Sequence, residues 1–149
     1  GPILNAALNR DLRPTLFLAQ LSNLMAGNIS IVHGVTDSSR TFMGEEMAGV
    51  SAIETAVAQI EHGQGDIFLV GGAYIAERAD MMLLMEFGQA PWHGGYRPVW
   101  SRRDSASGGM ITGSASAFMV LESHQHAEAR GVRPYARINT VVSDRCNRQ

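Results

Sequence analysis

No lysine occurs in the 149 residues, and the twelve basic side chains are all arginine. Set against fourteen acidic residues they leave a net charge of −2 and a pI near 6.2. A chain balanced in this way lacks the basic field that nucleic-acid binding needs. Cysteine is almost absent too. Cys146 stands alone, so no disulfide can form within the chain, and neither a signal peptide nor a membrane-length apolar run is visible. A reducing cytoplasm is the expected compartment. The sequence has no internal repeat, no low-complexity segment and no P-loop or dinucleotide fingerprint behind a predicted strand. The histidines do not combine into a metal site: His124 and His126 are two apart, which puts them on different faces of a helix, and neither has a histidine four residues away. His33 and His62 fall at predicted element ends, where capping or solvation is the expected role. No metal or nucleotide cofactor is expected.

What is present is organised around Arg40–Tyr74, RTFMGEEMAGVSAIETAVAQIEHGQGDIFLVGGAY. Thr41–Met43 close a short strand, and Gly44 permits a sharp turn. Glu45 and Glu46 supply negative charge where the free N–H groups of a starting helix favour it. Val50, Ile53, Val57 and Ile60 recur at intervals of three and four, forming one apolar stripe. Ala48, Gly49, Ala52 and Ala56 keep the helix thin, and Gly63 fits its stop. Ile67–Val70 is an apolar run of strand length bounded by glycines, expected of a strand buried on both faces of a layered α/β sheet. Gly71 and Gly72 let another backbone pass close by.

This stretch resembles the centre of the β-ketoacyl-acyl-carrier-protein synthases, condensing enzymes of the thiolase fold, in which a strand leads into a nucleophilic Cys at a helix N-terminus and a GGA strand follows. Aligned without gaps from Gly34 to Ala73, the Cys position is occupied by Glu46. The resemblance implies the N-terminal half of a thiolase-like α/β fold, with a mainly parallel or mixed sheet flanked by helices. Family members are longer and consist of two similar halves. The resemblance makes residues 1–149 a partial thiolase-like domain that stops as the second half begins, with the family's two catalytic histidines beyond its end.

Toward the N-terminus, Pro14 suits a helix's first turn, and Leu16, Leu18, Leu21, Leu24 and Met25 before Gly27 predict a helix over 15–26. NISIVHG alternates like a strand, yet it resembles a second short family helix leading to a glycine, and the resemblance implies a helix there. Thr36–Ser39 is turn chemistry. Beyond the GGA strand, Arg78–Phe87 reads as a short buried helix. Its Met81, Met82 and Met85 either pack an ordinary core or dimer contact or line a pocket for a flexible acyl chain. Gly88–Gly113 is a long loop with little periodicity, of the kind that is functional or disordered. Its RP followed by RRD resembles a family pair, with about four extra residues between Asp104 and Gly109. The family's glycine-rich turn has become Gly113–Ala117. Ala115–Leu121 reads as a strand, Ser123–Arg130 as a helix ending at Gly131, and Tyr135–Val142 as a strand.

Glu46 is a poor replacement for a thiolate. A carboxylate at a helix start is held charged and weakly nucleophilic, and its attack on a thioester would expel the thiolate and leave a reactive anhydride. A helix-start charge pair is the bland reading of Glu45 and Glu46. Arg102 and Arg103 read either as solvated loop charges or as a contact for an acidic carrier protein. Cys146, between Arg145 and Arg148, reads as an incidental thiol. The resemblance implies a β-ketoacyl synthase homologue without its own nucleophile, similar to the chain-length-factor partners of ketosynthases. Acyl carrier protein is then the implied partner, together with a homodimer, or a heterodimer with an active subunit, formed through Ser39–Met43. The alternatives are a decarboxylase or acyltransferase using Glu46 with residues outside this chain, and a thiolase-fold scaffold with no acyl function.

Overall fold

A computed structural model describes residues 1–11, 15, 18, 21–44, 47–102 and 109–144. The chain divides into two compact units, Gly1–Thr55 with Ile138–Gln149, and Ala56–Arg137.

The first unit is helical. Helix α1, Pro2–Asp11, was not expected from the sequence, although Pro2 stands where a first helical residue has no N–H to waste. Of the helix predicted over 15–26, Thr15 and Leu18 are helical and residues 16, 17, 19 and 20 lie outside the described set. The chain then turns at Leu21–Asn23, with i to i+3 bonds from Leu21 N–H to Leu18 O (3.1 Å) and from Leu24 N–H to Leu21 O (3.1 Å). Helix α2 runs Leu24–His33 and ends at Gly34 with φ +66°. The NISIVHG segment is therefore helical, as the resemblance implied and the alternation did not. Gly27 does not stop a helix as expected; it lies inside α2, where a glycine costs about 1 kcal/mol against alanine without ending the helix. Asp37 takes φ +88° and its Oδ1 accepts the N–H of Ser38 at 2.8 Å, the expected turn. Helix α3, Ala48–Glu61, begins in this unit, and Ser143 Oγ donates to Glu54 Oε2 at 2.9 Å.

In the second unit, α3 closes in a Schellman motif. Gly63 takes φ +65°, its N–H bonds Ile60 O (3.0 Å) and the N–H of Gln64 bonds Gln59 O (2.8 Å). Strand β1, Ile67–Tyr74, pairs antiparallel with β2, Ala115–Glu122, from Ile67 opposite Glu122 to Tyr74 opposite Ala115. Between them lie α4, Ala79–Phe87, and a 3₁₀ turn, Val99–Arg102; after β2 comes α5, His124–Ala129. Ser123 caps α5, accepting the N–H of His126 at 3.3 Å. Gly131 (φ +66°) and Val132 close it by the same motif as α3.

Three expectations about the sheet are corrected. The described sheet is a two-stranded antiparallel pair and not mainly parallel; an apolar run specifies a strand but not the direction of its neighbour, and the forty residues between the strands permit either. Thr41–Met43 and Tyr135–Val142 join no sheet among the described residues, because a strand needs a partner edge as well as a pattern. Ile67 and Leu69 are exposed and only Val70 of β1 is buried, so this strand is not covered on both faces. On α3 the stripe of Val50, Ile53, Val57 and Ile60 is half-buried, while small Ala56 is the buried residue.

The loop expected to be structureless is closed at its neck. Pro91 bridges Met110 in parallel, Trp92 N–H donates to Met110 O (2.7 Å), and Met110 N–H donates to Ala90 O (3.0 Å). Inside it, Trp92 Nε1 donates to Gly95 O at 2.8 Å and the Arg97 guanidinium sits 5.9 Å from the Trp92 ring centroid.

The ladder gives the first prediction. A methyl group at Gly71 would fall against the Ala117 carbonyl and the Phe118 ring, whereas at Gly72 it would meet nothing within 4 Å. Gly71→Ala should destabilise the unit by about 1–3 kcal/mol through overpacking, and Gly72→Ala should be close to neutral. Denaturant unfolding of both variants checks the contrast.

Candidate functional site

The start of α3 is the position to which the sequence points. Gly44 takes φ +152°, a backbone conformation that side-chain-bearing residues rarely adopt. Met47 is half-buried and its carbonyl accepts the Ser51 N–H at 2.8 Å, closing the first turn of the helix behind it. The leading N–H groups of such a turn point back along the chain and have no carbonyl within the helix, which favours an anionic group there. Glu45 and Glu46 lie outside the described residues. The helix was expected to start near Glu45; its first residue is Ala48.

Helix α4 carries Met81, Met82 and Met85. In helical spacing Met85 neighbours both Met81, four residues back, and Met82, three back. Met81 and Met85 are half-buried and Met82 is 50% exposed. Tyr74 Oη, on the last residue of β1, donates to Met85 Sδ at 3.9 Å. The helix forms as expected but is not buried: Leu83, Leu84 and Phe87 all face solvent. Its apolar residues run round every side, so no single face could cover them. The sequence pattern said only that the helix is apolar.

Arg102 overturns both readings offered for it. It is buried, donating through Nε to Pro98 O at 3.4 Å and through Nη1 to Gly109 O, so it pins the loop's 3₁₀ turn to the neck. Arg103, Asp104 and Cys146 lie outside the described residues. His62 meets the expected capping role, with Nδ1 2.7 Å from Ala58 O, and His33 is the last residue of α2. Among the described residues no three His, Cys, Asp or Glu side chains stand where they could hold a metal ion.

Sequence reasoning missed the polar cluster at the far end of the ladder. Arg130 spans both carboxylate oxygens of Glu122, Nε to Oε1 at 2.8 Å and Nη2 to Oε2 at 2.9 Å, and His126 Nδ1 also bonds Oε1. Ser123 donates its hydroxyl to Asp66 Oδ1 at 2.7 Å and its N–H to Asp66 O at 2.9 Å. The Arg130 fork, and secondarily His126, hold the Glu122 carboxyl below the usual glutamate range. The signal was legible as acid, His and Arg at spacings of four, Glu122, His126 and Arg130, where a His–His pair is absent. His124 pairs separately with Glu128 at 3.2 Å.

In chain order a glycine-led helix start, a strand and a methionine-bearing helix follow one another, and known proteins place this order in the thiolase-like class. A solved complex of a type II PKS acyl-carrier protein with its ketosynthase bound to the hexaketide has a similar fold, with TM-score 0.61 and 25% identity over 85% of this chain and 36% of that one. Residues 3–127 match the β-ketoacyl synthase N-terminal domain, and the chain belongs to the β-ketoacyl synthase family. It is 31% identical over 138 residues to 3-oxoacyl-[acyl-carrier-protein] synthase 2 of Vibrio cholerae, covering 87% of this chain and 32% of that one. To the putative mitochondrial 3-oxoacyl-[acyl-carrier-protein] synthase of Schizosaccharomyces pombe it is 31% identical over 144 residues, 91% of this chain and 33% of that one. The chain thus spans about a third of the length of these curated relatives. No helix among the described residues is long and apolar enough to cross a membrane.

Two predictions follow from the polar cluster. Ser123→Ala removes the α5 cap and should cost about 1 kcal/mol, measured by denaturant unfolding, with Ser123→Thr, which keeps the hydroxyl, close to neutral. Glu122 has a lowered native pKa, so its contribution is full above the ordinary glutamate value of about 4.3 and is lost as pH falls through the native value. Glu122→Gln should therefore be less stable than the unaltered protein near neutral pH, and the gap should close on acidification. A gap that widens in acid would contradict the assignment.

Proposed function

We propose that this chain is part of a β-ketoacyl synthase homologue of acyl-chain synthesis that lacks its own nucleophile and acts as a pseudo-ketosynthase or chain-length-factor-like subunit beside an active one. The observation that carries the reading is Glu46, which the ungapped resemblance sets in the place of the family's Cys, just ahead of a helix whose first closed turn begins at Met47. The family match over residues 3–127 takes in this position. At a helix N-terminus a thiolate gains from the dipole and from N–H groups that stabilise an oxyanion. A carboxylate receives the same stabilisation and is thereby made less nucleophilic. Glu46 in this reading is a charge at a former acylation site.

The remaining parts of the proposal follow the family. Met81, Met82 and Met85 form an adaptable apolar surface that bears on an acyl chain, consistent with thioether side chains that repack around varied contents. Acyl carrier protein delivers that chain, and the active subunit associates through the segment at Ser39–Met43. The protein works in the cytoplasm.

Three measurements test the proposal. Incubation with long-chain acyl-carrier protein should leave no stable acyl adduct on Glu46 by peptide mass spectrometry, and such an adduct would overturn it. Turnover of malonyl-carrier protein by this chain would favour the decarboxylase instead. With Cys146→Ser as background, Glu46→Cys should be alkylated by iodoacetamide about threefold faster than an exposed cysteine at pH 7. The thiolate fraction rises about fifteenfold as a pKa of about 8.5 falls to about 7, and reduced intrinsic nucleophilicity takes back about fivefold. An inert thiol in folded protein means that Glu46 does not occupy the nucleophile position.

A further inference from the structure

Backbone pairing between β1 and β2 ends at Tyr74 opposite Ala115. Beyond it the chain leaves the ladder for α4, a crossing of four residues in which Ala76 is buried, at 6% exposure. A buried N–H needs an acceptor, and no strand carbonyl continues the ladder there. The acceptor is a side chain: Ala76 N–H donates to Ser114 Oγ at 3.0 Å. Ser114 immediately precedes β2, so its hydroxyl extends the pairing by one bond after the backbones diverge. Contacts flank this bond at every second residue. Tyr74 Oη holds Met85 Sδ, and Arg78, which precedes α4, is paired through Nε with Asp80 Oδ1 at 3.1 Å.

We infer that Ser114 is a positioning residue that sets where the first turn of α4, and hence Met81 and Met82, stands relative to the end of the ladder. The inference rests on the reading of α4 as an acyl-bearing surface and adds what tunes its length preference. Without the hydroxyl, Ala76 keeps a buried donor with no acceptor, and the least costly relief is for residues 75–77 to move toward water. Arg78 and the start of α4 move with them. Met85 stays tethered through Tyr74. The helix therefore pivots about Met85 as one body, so the apolar side chains of its first turn shift against an extended hydrocarbon while Met85 does not, which alters discrimination between short and long chains more than affinity for either alone.

The test compares Ser114→Ala with Ser114→Thr, which keeps a hydroxyl, in two readouts. Amide exchange at Ala76 should quicken about tenfold in the alanine variant and recover in the threonine variant. Calorimetric titration with octanoate, dodecanoate and hexadecanoate should show the octanoate to hexadecanoate affinity ratio shifted about fourfold by alanine, the equivalent of one methylene, and restored by threonine. Unchanged exchange at Ala76 overturns the assignment. Faster exchange with an unchanged ratio also overturns it, while leaving the acyl reading intact. Failure of the unaltered protein to bind any of the three acids overturns both.

Discussion

The antiparallel ladder of β1 and β2 is the one extensive contact between elements among the described residues, and the helices of its unit hang from its two ends. At the Tyr74–Ala115 end, a phenol and a serine hydroxyl guide the chain into α4. At the Ile67–Glu122 end, Asp66 meets Ser123 and Glu122 meets Arg130, fixing α5. A two-stranded ladder is marginal alone in water, so these polar ties are what convert a pairing register into helix positions. Gly71 is the point at which the register is least negotiable, since any side chain there would strike the opposite backbone.

The parts of this arrangement legible in the sequence were those encoded locally. The glycines at 63 and 131 end helices because of their own φ, and Ser123 caps because its hydroxyl reaches the next turn; neither depends on distant residues. Element type along 48–61, 67–74, 79–87 and 115–122 was legible for the same reason. What failed depended on partners. The direction of β1's neighbour, the absence of pairing at Thr41–Met43 and Tyr135–Val142, and the exposure of α4 are set by what lies alongside, which no window of residues records. Arg102 illustrates the point at one side chain: in sequence it is half of a charged pair in a loop, and in space it is a buried clasp on two carbonyls.

The family assignment and the local chemistry meet at the start of α3. A segment that turns at a glycine and begins a helix within a few residues presents unpaired N–H dipoles at the helix start. Such N–H groups favour negative charge, whether thiolate or carboxylate. A third of a relative's length is enough to hold this turn and both strands of the ladder.

The Arg130 fork on Glu122 has one more implication. An arginine reaches both oxygens at once and remains protonated wherever the protein is folded, so the tie between β2 and α5 can be titrated from its acid side only. Because lysine is missing throughout, no side-chain amine exists anywhere in these 149 residues for acetylation, ubiquitin transfer or an amine-directed crosslinker to modify. Labelling and footprinting of these side chains have to work through groups other than amines, such as carboxylates, aromatic rings, guanidinium groups and the Cys146 thiol, and the cell's lysine-based regulation has no handle on this stretch of chain.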